Sequence, residues 1–531
     1  MAAIIHQKDK RSGITYAYES VSYWDKEKKQ SRAKRKLIGR VDKVTGKIVP
    51  TDGRGHRRGQ AKGNPDKLST RRFYGATYLL DAIGKKIGLT EDLKVCFPDT
   101  YKQILSLAYY LVLEESAPLF RFEKWSLLHR HPHGENIPSQ RSSELFASIT
   151  EDAKEKFFLK QSQRRVENEY WAYDTTSISS YSETLTQVQY GYNKEHDPLA
   201  QINLAIVFGE SSNLPFYYRK LSGNIPDGHT LTQLLRDLQQ MGKPGVKLVM
   251  DRGFYSRANV NKLYREHQKF LLSVPMSRTF VRDALEPLYD TFRSFDHYDS
   301  TYELYCHTVS TTWEYEEYHP RKKETRTAKK RLYIHYYYNI ERAAEEEKRF
   351  DKKLSELADE IQEGRRIARH EKLYTKYFTI TQTPRRGIKI RLNEEVVTKA
   401  KRYFGFFTLI SNEKKEAITA LQVYRNKDVV EKAFGNLKER LNMRRMLVSS
   451  EQSLEGKLFV EFVALILLSY IKKQMQDHQL FKTYTLQTLL DQVDVIECFE
   501  RPGHRLQVGE ILEKQKKIYS DMGVEVPVQR V

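Results

Sequence analysis

Three acidic residues in this chain have the type and setting that phosphodiester chemistry requires. Asp174 follows the aromatic run Tyr170-Trp171-Ala172-Tyr173 and precedes Thr175-Thr176-Ser177, so a strand ending there presents a carboxylate beside small hydroxyls. Asp251 stands similarly after Val246–Met250 and before Arg252-Gly253-Phe254. Two strand-end carboxylates suit a shared hard divalent cation, although either one alone is more often a turn or helix cap. The third lies in a helical pattern. At about 100° per residue, Tyr424, Lys427, Glu431 and Lys438 fall at angles near 0°, 300°, 340° and 320°, within about 60° of one another. The apolar residues Val423, Val430, Ala433, Phe434, Leu437 and Leu441 occupy the neighbouring sector, so the polar stripe runs along the margin of a buried face. A carboxylate flanked by two lysines and a phenol at a core edge suits a metal ion and a phosphate backbone. The plainer reading is a solvated face with Lys427 and Glu431 as an i,i+4 ion pair, worth tenths of a kcal/mol.

The elements that must position these residues are readable from pattern. The chain has 531 residues, 39% of them hydrophobic and 12% aromatic, enough for sizeable cores. Ninety Lys+Arg against 69 Asp+Glu give a net charge of +21, which points to polyanionic partners, nucleic acid first. No apolar stretch reaches the roughly 20 residues of a membrane span, and Leu458 to Ile471 reads as a buried helix. Cys96, Cys306 and Cys498 are widely separated and form no disulfide framework or zinc motif. With no signal-peptide pattern at the start, the sequence reads as that of a cytoplasmic protein with no membrane association.

Residues 1–70 hold 18 Lys+Arg against 7 Asp+Glu, a net +11. Alternation at Ile14–Glu19 and a second apolar stretch at Leu37-Ile38 predict a hairpin, and the glycine-rich loop Asp52–Pro65 carries Arg54, His56, Arg57, Arg58 and Lys62, suited to phosphates. Residues 71–165 read as a helical module. From 166 to 275 the order strand, strand, strand, helix, strand, helix, strand is that of an RNase H-like sheet. A region of different character, 276–405, interrupts it with Tyr-rich strands and an amphipathic helix striped by Phe350, Leu354, Leu357 and Ile361. The segment 406–470 resumes the core with a strand and one long helix from about Lys414 to Leu441, and 471–531 closes the chain with helices. The predicted fold class is mixed α/β. Asn224, Asp227 and His229 read as turn and N-cap residues ahead of a helix. Trp313 reads as a sheet or core aromatic, and the basic run Arg321–Arg331 as either a solvated loop or a DNA contact.

The spacing Tyr424, Lys427, Glu431, Lys438 resembles the Tyr-Arg-Glu-Lys signature of bacterial insertion-sequence DDE transposases. Asp174 in YDTTSIS and Asp251 in MDRGFYS resemble that family's first two acidic motifs, and the likeness continues through LSGNIPDGHTL, covering roughly residues 165 to 470. Lys427 departs from the signature's arginine, which keeps the charge but loses bidentate phosphate geometry. The resemblance implies an RNase H-like catalytic core with a domain inserted before the catalytic glutamate. It implies cleavage of double-stranded DNA at element ends and joining to a target, by a homodimer on paired terminal inverted repeats, in the bacterial cytoplasm at the nucleoid. It implies two Mg²⁺ ions per site, replaceable by Mn²⁺, with Asp174 bridging and Asp251 and Glu431 completing the set. Lys427 and Lys438 would hold phosphates, Tyr424 would hydrogen-bond or stack, and Trp313 would stack on an unpaired or flipped base as an insert aromatic does in some relatives. The alternatives are a nuclease of the same fold that cuts without joining, and a domesticated protein that only binds DNA.

Overall fold

The computed structural model describes residues 2–10, 13–25, 29–43, 45–49, 69–165, 169–242, 245–319, 324–383, 387–443, 445–446, 450–501 and 503–528. They form two units, one running to Arg71 and including Cys498–Gln507, the other comprising Arg72–Glu497 and residues 508–529.

The first unit is an antiparallel sheet in the order β1 (Ala2–Lys8), β2 (Thr15–Asp25), β3 (Gln30–Val41), β4 (Ile48–Val49). The expected hairpin is β2–β3, and β1 and β4 are strands that sequence pattern did not reveal. β1 pairs with β2 only as far as Val21, and β4 meets β3 only at Arg40 and Val41. Beyond Val21 the hairpin continues to Asp25 paired with Gln30 as a two-stranded ribbon. Both of its faces are exposed, with Tyr23, Trp24, Arg32, Lys34 and Arg35 open to solvent. Arg54, Arg57 and Arg58 lie outside the described residues.

The second unit begins with six helices, α1 (Gly75–Lys86), α2 (Leu89–Cys96), α3 (Tyr101–Leu113), α4 (Phe122–Leu128), α5 (Ser139–Ser148) and α6 (Glu151–Gln163). α3 is buried without interruption from Ile104 to Leu113, because it is apolar on every side. It packs on a 27-residue helix near the C-terminus, Glu451–Asp477, which is buried continuously from Leu458 to Ile471. Gly456 permits the close crossing with α5, since a Cβ there would lie 2.2 Å from the Phe146 carbonyl oxygen.

The central sheet uses β5 (Tyr170–Ser180), β6 (Gln201–Gly209), β7 (Pro215–Ser222), β8 (Lys247–Met250) and β9 (Lys269–Val274) in the spatial order β7-β6-β5-β8-β9. β6 is antiparallel to β5 and β7, while β8 runs parallel to β5 and β9 parallel to β8. This is the RNase H-like arrangement expected from the strand and helix order, with α7 (Asp227–Gln240) and α8 (Arg257–Arg265) in the crossovers.

Three features differ from the sequence expectation. β5 does not end at Asp174 but runs to Ser180, because antiparallel pairing with β6 continues to Ser179 opposite Gln201. Part of the 276–405 region joins the sheet: β10 (Leu304–His319) and β11 (Glu324–Tyr338) form a hairpin whose second strand pairs with β12 (Phe406–Ser411), itself on the edge of β9. The rest, including α9 (Ile340–Gln362), has its own small core around Leu354, Leu357, Ile361, Tyr374 and Val397. The helix expected from Lys414 to Leu441 is divided into α10 (Ala417–Asn426), α11 (Asp428–Gly435) and a π-helical turn, Asn436–Arg440. The break falls at Lys427, whose N–H bonds back three residues to Tyr424 O, and the π turn closes with Leu441 N–H on Asn436 O. A constant 100° step therefore does not carry the stripe to Lys438.

Candidate active site

Register brings the two aspartates together. Tyr173 of β5 is the partner of Met250 of β8 in the parallel pair, so Asp174 and Asp251 are the next residues on neighbouring strands, at the point where β8 stops and β5 continues. A carboxylate at this lip has lost one flanking strand and gained an opening. Asp174 is 8% exposed and accepts the Thr175 backbone N–H at 2.7 Å. Asp251 accepts the Arg252 N–H at 2.7 Å and the Tyr424 hydroxyl at 2.7 Å.

The surroundings drive the two carboxyls in opposite directions. Burial pushes Asp174 up, the Asp251 charge adds to this, and Lys194, Lys427 and the Thr175 N–H oppose it without cancelling it. Burial acts the same way on Asp251, but there the Tyr424 hydroxyl, Lys427 and Arg252 together outweigh it and hold the carboxyl below its ordinary value. Tyr424 itself is pushed up by burial and by Asp251, so it stays a neutral donor.

Glu431 arrives on α11, Lys427 at its junction with α10 and Lys438 in the π turn that follows; α10 packs on β8 and α11 on β5 and β6. Lys427 at their junction is 2% exposed. Its ammonium lies 3.4 Å from Glu431 Oε1 and 5.7 Å from the Tyr424 ring centre, and its charge acts on both aspartates. Glu431 is 61% exposed. Among the described residues no three His, Cys, Asp or Glu side chains are gathered closely enough to hold a metal ion, so the expected convergence of all three carboxylates is not present. Glu431 is instead paired with Lys427. Asp174 and Asp251 do fit a hard divalent cation. They are an oxygen-only pair of neighbouring carboxylates, the donor type a hard cation takes, and Asp251 raises Asp174 by its charge.

Lys438 is buried, at 8% exposure, and donates to Glu195 Oε1 at 2.6 Å. Trp313 is placed apart from the aspartates. It is 4% exposed, donates its indole N–H to Asn261 Oδ1 at 2.8 Å, packs edge-on to Phe280 and lies under the Arg257 guanidinium. These contacts are those of the sheet-aromatic reading.

Sequence reading did not find two residues in contact with the site. Lys194, in the segment between β5 and β6, lies 3.5 Å from Asp174 Oδ1 and 3.1 Å from Asp227 Oδ2. Glu195 is the partner of Lys438. No periodicity marks them, and the only signal is a Lys-Glu pair in an otherwise polar loop. Asp227, expected as a turn or N-cap residue, opens α7 after the N-cap Pro226 and accepts the Thr175 hydroxyl, so it belongs to the same charged cluster. Asn224 does serve its turn, accepting from the Ser222 hydroxyl at 2.9 Å.

The site thus sets Asp174 within β5, Asp251 directly after β8 and Glu431 on α11 around an RNase H-like sheet. Residues 171–467 match the Transposase DDE domain family, and the chain belongs to that family of DNA transposases. Transposases of this family use divalent metal ions. A search of curated proteins finds no match. Among solved structures, a piggyBac transposase synaptic complex with hairpin DNA covers 79% of this chain and 76% of its own, at 9% identity and a TM-score of 0.35, a likeness at which no residue or assembly carries over. No helix among the described residues is long and apolar enough to cross a membrane.

Proposed function

We propose that this chain is the transposase of a bacterial insertion sequence, cutting double-stranded DNA at the element's terminal repeats and joining those ends to target DNA, as a homodimer in the cytoplasm. The observation that carries the reading is the β5–β8 register that sets Asp174 beside Asp251, with Tyr424 and Lys427 linking both to the helix that bears Glu431. Asp174, Asp251 and Glu431 would hold two Mg²⁺ ions, with Mn²⁺ able to replace Mg²⁺. The ions supply activation of the attacking hydroxyl and compensation of charge on the leaving oxygen. Tyr424 holds one oxygen of Asp251 and so fixes the carboxylate's orientation. Lys427 balances the carboxylates, and Lys438 meets a phosphate once its present partner is released.

Labelled DNA carrying the element's ends, incubated with the protein, Mg²⁺ and a target plasmid, tests this. Joined product is expected. Cut ends without joining would make it a nuclease, and a shifted but intact band a binding protein.

The N-terminal unit supplies the duplex contact in this reading. A two-stranded ribbon fits the major groove, and the β2–β3 ribbon carries Arg32, Lys34 and Arg35 beside Tyr23 and Trp24. Replacing Arg32, Lys34 and Arg35 by alanine is expected to weaken end binding and to flatten the log–log salt dependence by about 0.9 for each phosphate that is no longer neutralised. An unaltered slope would place the duplex contact elsewhere.

A further inference from the structure

The segment between β5 and β6, residues 181–200, touches both charged halves of the site with consecutive side chains. Lys194 Nζ donates to Thr175 O at 2.6 Å and Thr175 Oγ1 at 3.0 Å, and lies within ion-pair distance of Asp174 and Asp227. Glu195 Oε1 accepts from Lys438 Nζ at 2.6 Å. The loop is held in place from within: Asn193 donates to Ser179 Oγ and accepts the Glu195 N–H, and Gln189 exchanges both backbone hydrogen bonds with Gln201. His196, directly after the pair, has φ of 59°, a left-handed turn uncommon for a non-glycine residue.

Asp174 and Lys438 are both nearly buried, so solvent does little to compensate either charge. A buried acid needs a cation and a buried base needs an anion. In the catalytic reading those are a metal ion and a DNA phosphate; in this structure Lys194, together with Lys427, acts on Asp174, and Glu195 pairs with Lys438.

We propose that residues 181–200 are an internal occupant of the catalytic cleft, with Lys194 in the role of the cation at Asp174 and Glu195 in the role of the phosphate at Lys438, and that the loop withdraws when metal and DNA enter. This rests on the transposase reading. Both ligands displace one loop, so each lowers the cost of binding the other. Lys194 and Glu195 are positioning residues here, acting through Asp174 and Lys438.

The test measures binding of Mn²⁺ alone and of an element-end duplex alone, in the full-length wild type, Lys194→Met and Glu195→Gln, with circular dichroism to verify folding. Because a competing closed state scales the apparent affinity by the open fraction, each variant should tighten both ligands, by about threefold or more. The cross-effects decide the matter: Glu195→Gln should tighten Mn²⁺, and Lys194→Met should tighten the duplex. A Lys194 that itself holds DNA would give weaker duplex binding in Lys194→Met, and a purely local pair would leave Glu195→Gln without effect on Mn²⁺; either result overturns the proposal. Hydrogen exchange in wild type offers an independent reading. Amides of 181–200 should exchange faster with duplex and Ca²⁺ bound, and equal or slower exchange also overturns it. If wild type binds no duplex at all, the transposase reading fails; if it cuts DNA while the variants behave as wild type, only the loop proposal fails.

Discussion

Asp174→Asn is expected to lower DNA-end cleavage and joining by at least about 10²-fold, the scale of losing one preorganised electrostatic element, while end binding persists. The asparagine keeps an acceptor for the Thr175 N–H and removes the charge. The same change should not destabilise the fold at neutral pH. Burial holds the Asp174 carboxyl above its ordinary value, so its favourable contribution is present below the unfolded-state value and is lost as pH rises through the folded-state one. Wherever the carboxyl is ionised, its burial is a cost that asparagine removes, a trade of stability for function common at active sites. Single-turnover cleavage and thermal melting on the same preparations check both halves. Wild-type cleavage by the variant would remove Asp174 from the site.

The second large effect concerns stability. Glu461 lies 1% exposed in the long C-terminal helix; among the described residues neither carboxyl oxygen has a hydrogen-bond partner, and Lys457 Nζ lies 3.7 Å from Oε1. Burial pushes its carboxyl up to about 8. Stability from the neutral form is full below the unfolded-state value near 4.5 and declines as pH rises toward 8. Glu461→Gln keeps the shape and removes the titration. Its melting temperature should match wild type near pH 4.5 and exceed it increasingly up to about pH 8.5, a gap on the order of a few kcal/mol at most. A difference that stays constant across this range would show that Glu461 does not titrate as a buried acid.

Much of the site was legible in local sequence. The β5 and β8 runs announced themselves as aromatic and β-branched stretches, each leading to an aspartate, and the strand and helix order sufficed for the sheet topology. The buried helix at Leu458–Ile471 followed from apolar residues on every side. Local pattern failed where hydrogen-bonding partners come from elsewhere in the chain. Nothing near Asp174 tells that β6 holds the strand out to Ser180, and nothing in the Tyr-rich insert tells that β11 finds β12 on the far side of an excursion of about 67 residues.

Charge was read as partnership only where helical spacing gives it, as in the i,i+4 pair Lys427–Glu431, and elsewhere only as type. The sequence by itself determined that Asp174 and Asp251 follow strand runs and that Glu431 lies on a helix, because strand and helix periods are short-range consequences of backbone geometry. Only the tertiary structure decided how they are wired. The break at Lys427 and the π turn shift Lys438 from the predicted stripe, and Lys427 is sealed among the carboxylates instead of facing solvent. Trp313 is committed to Asn261 and Phe280. Lys194 and Glu195, silent in the sequence, become partners of Asp174 and Lys438. Coulomb and hydrogen-bond energies depend on distance in space, and the chain brings Glu195 to Lys438 across 243 positions, a separation no local period encodes.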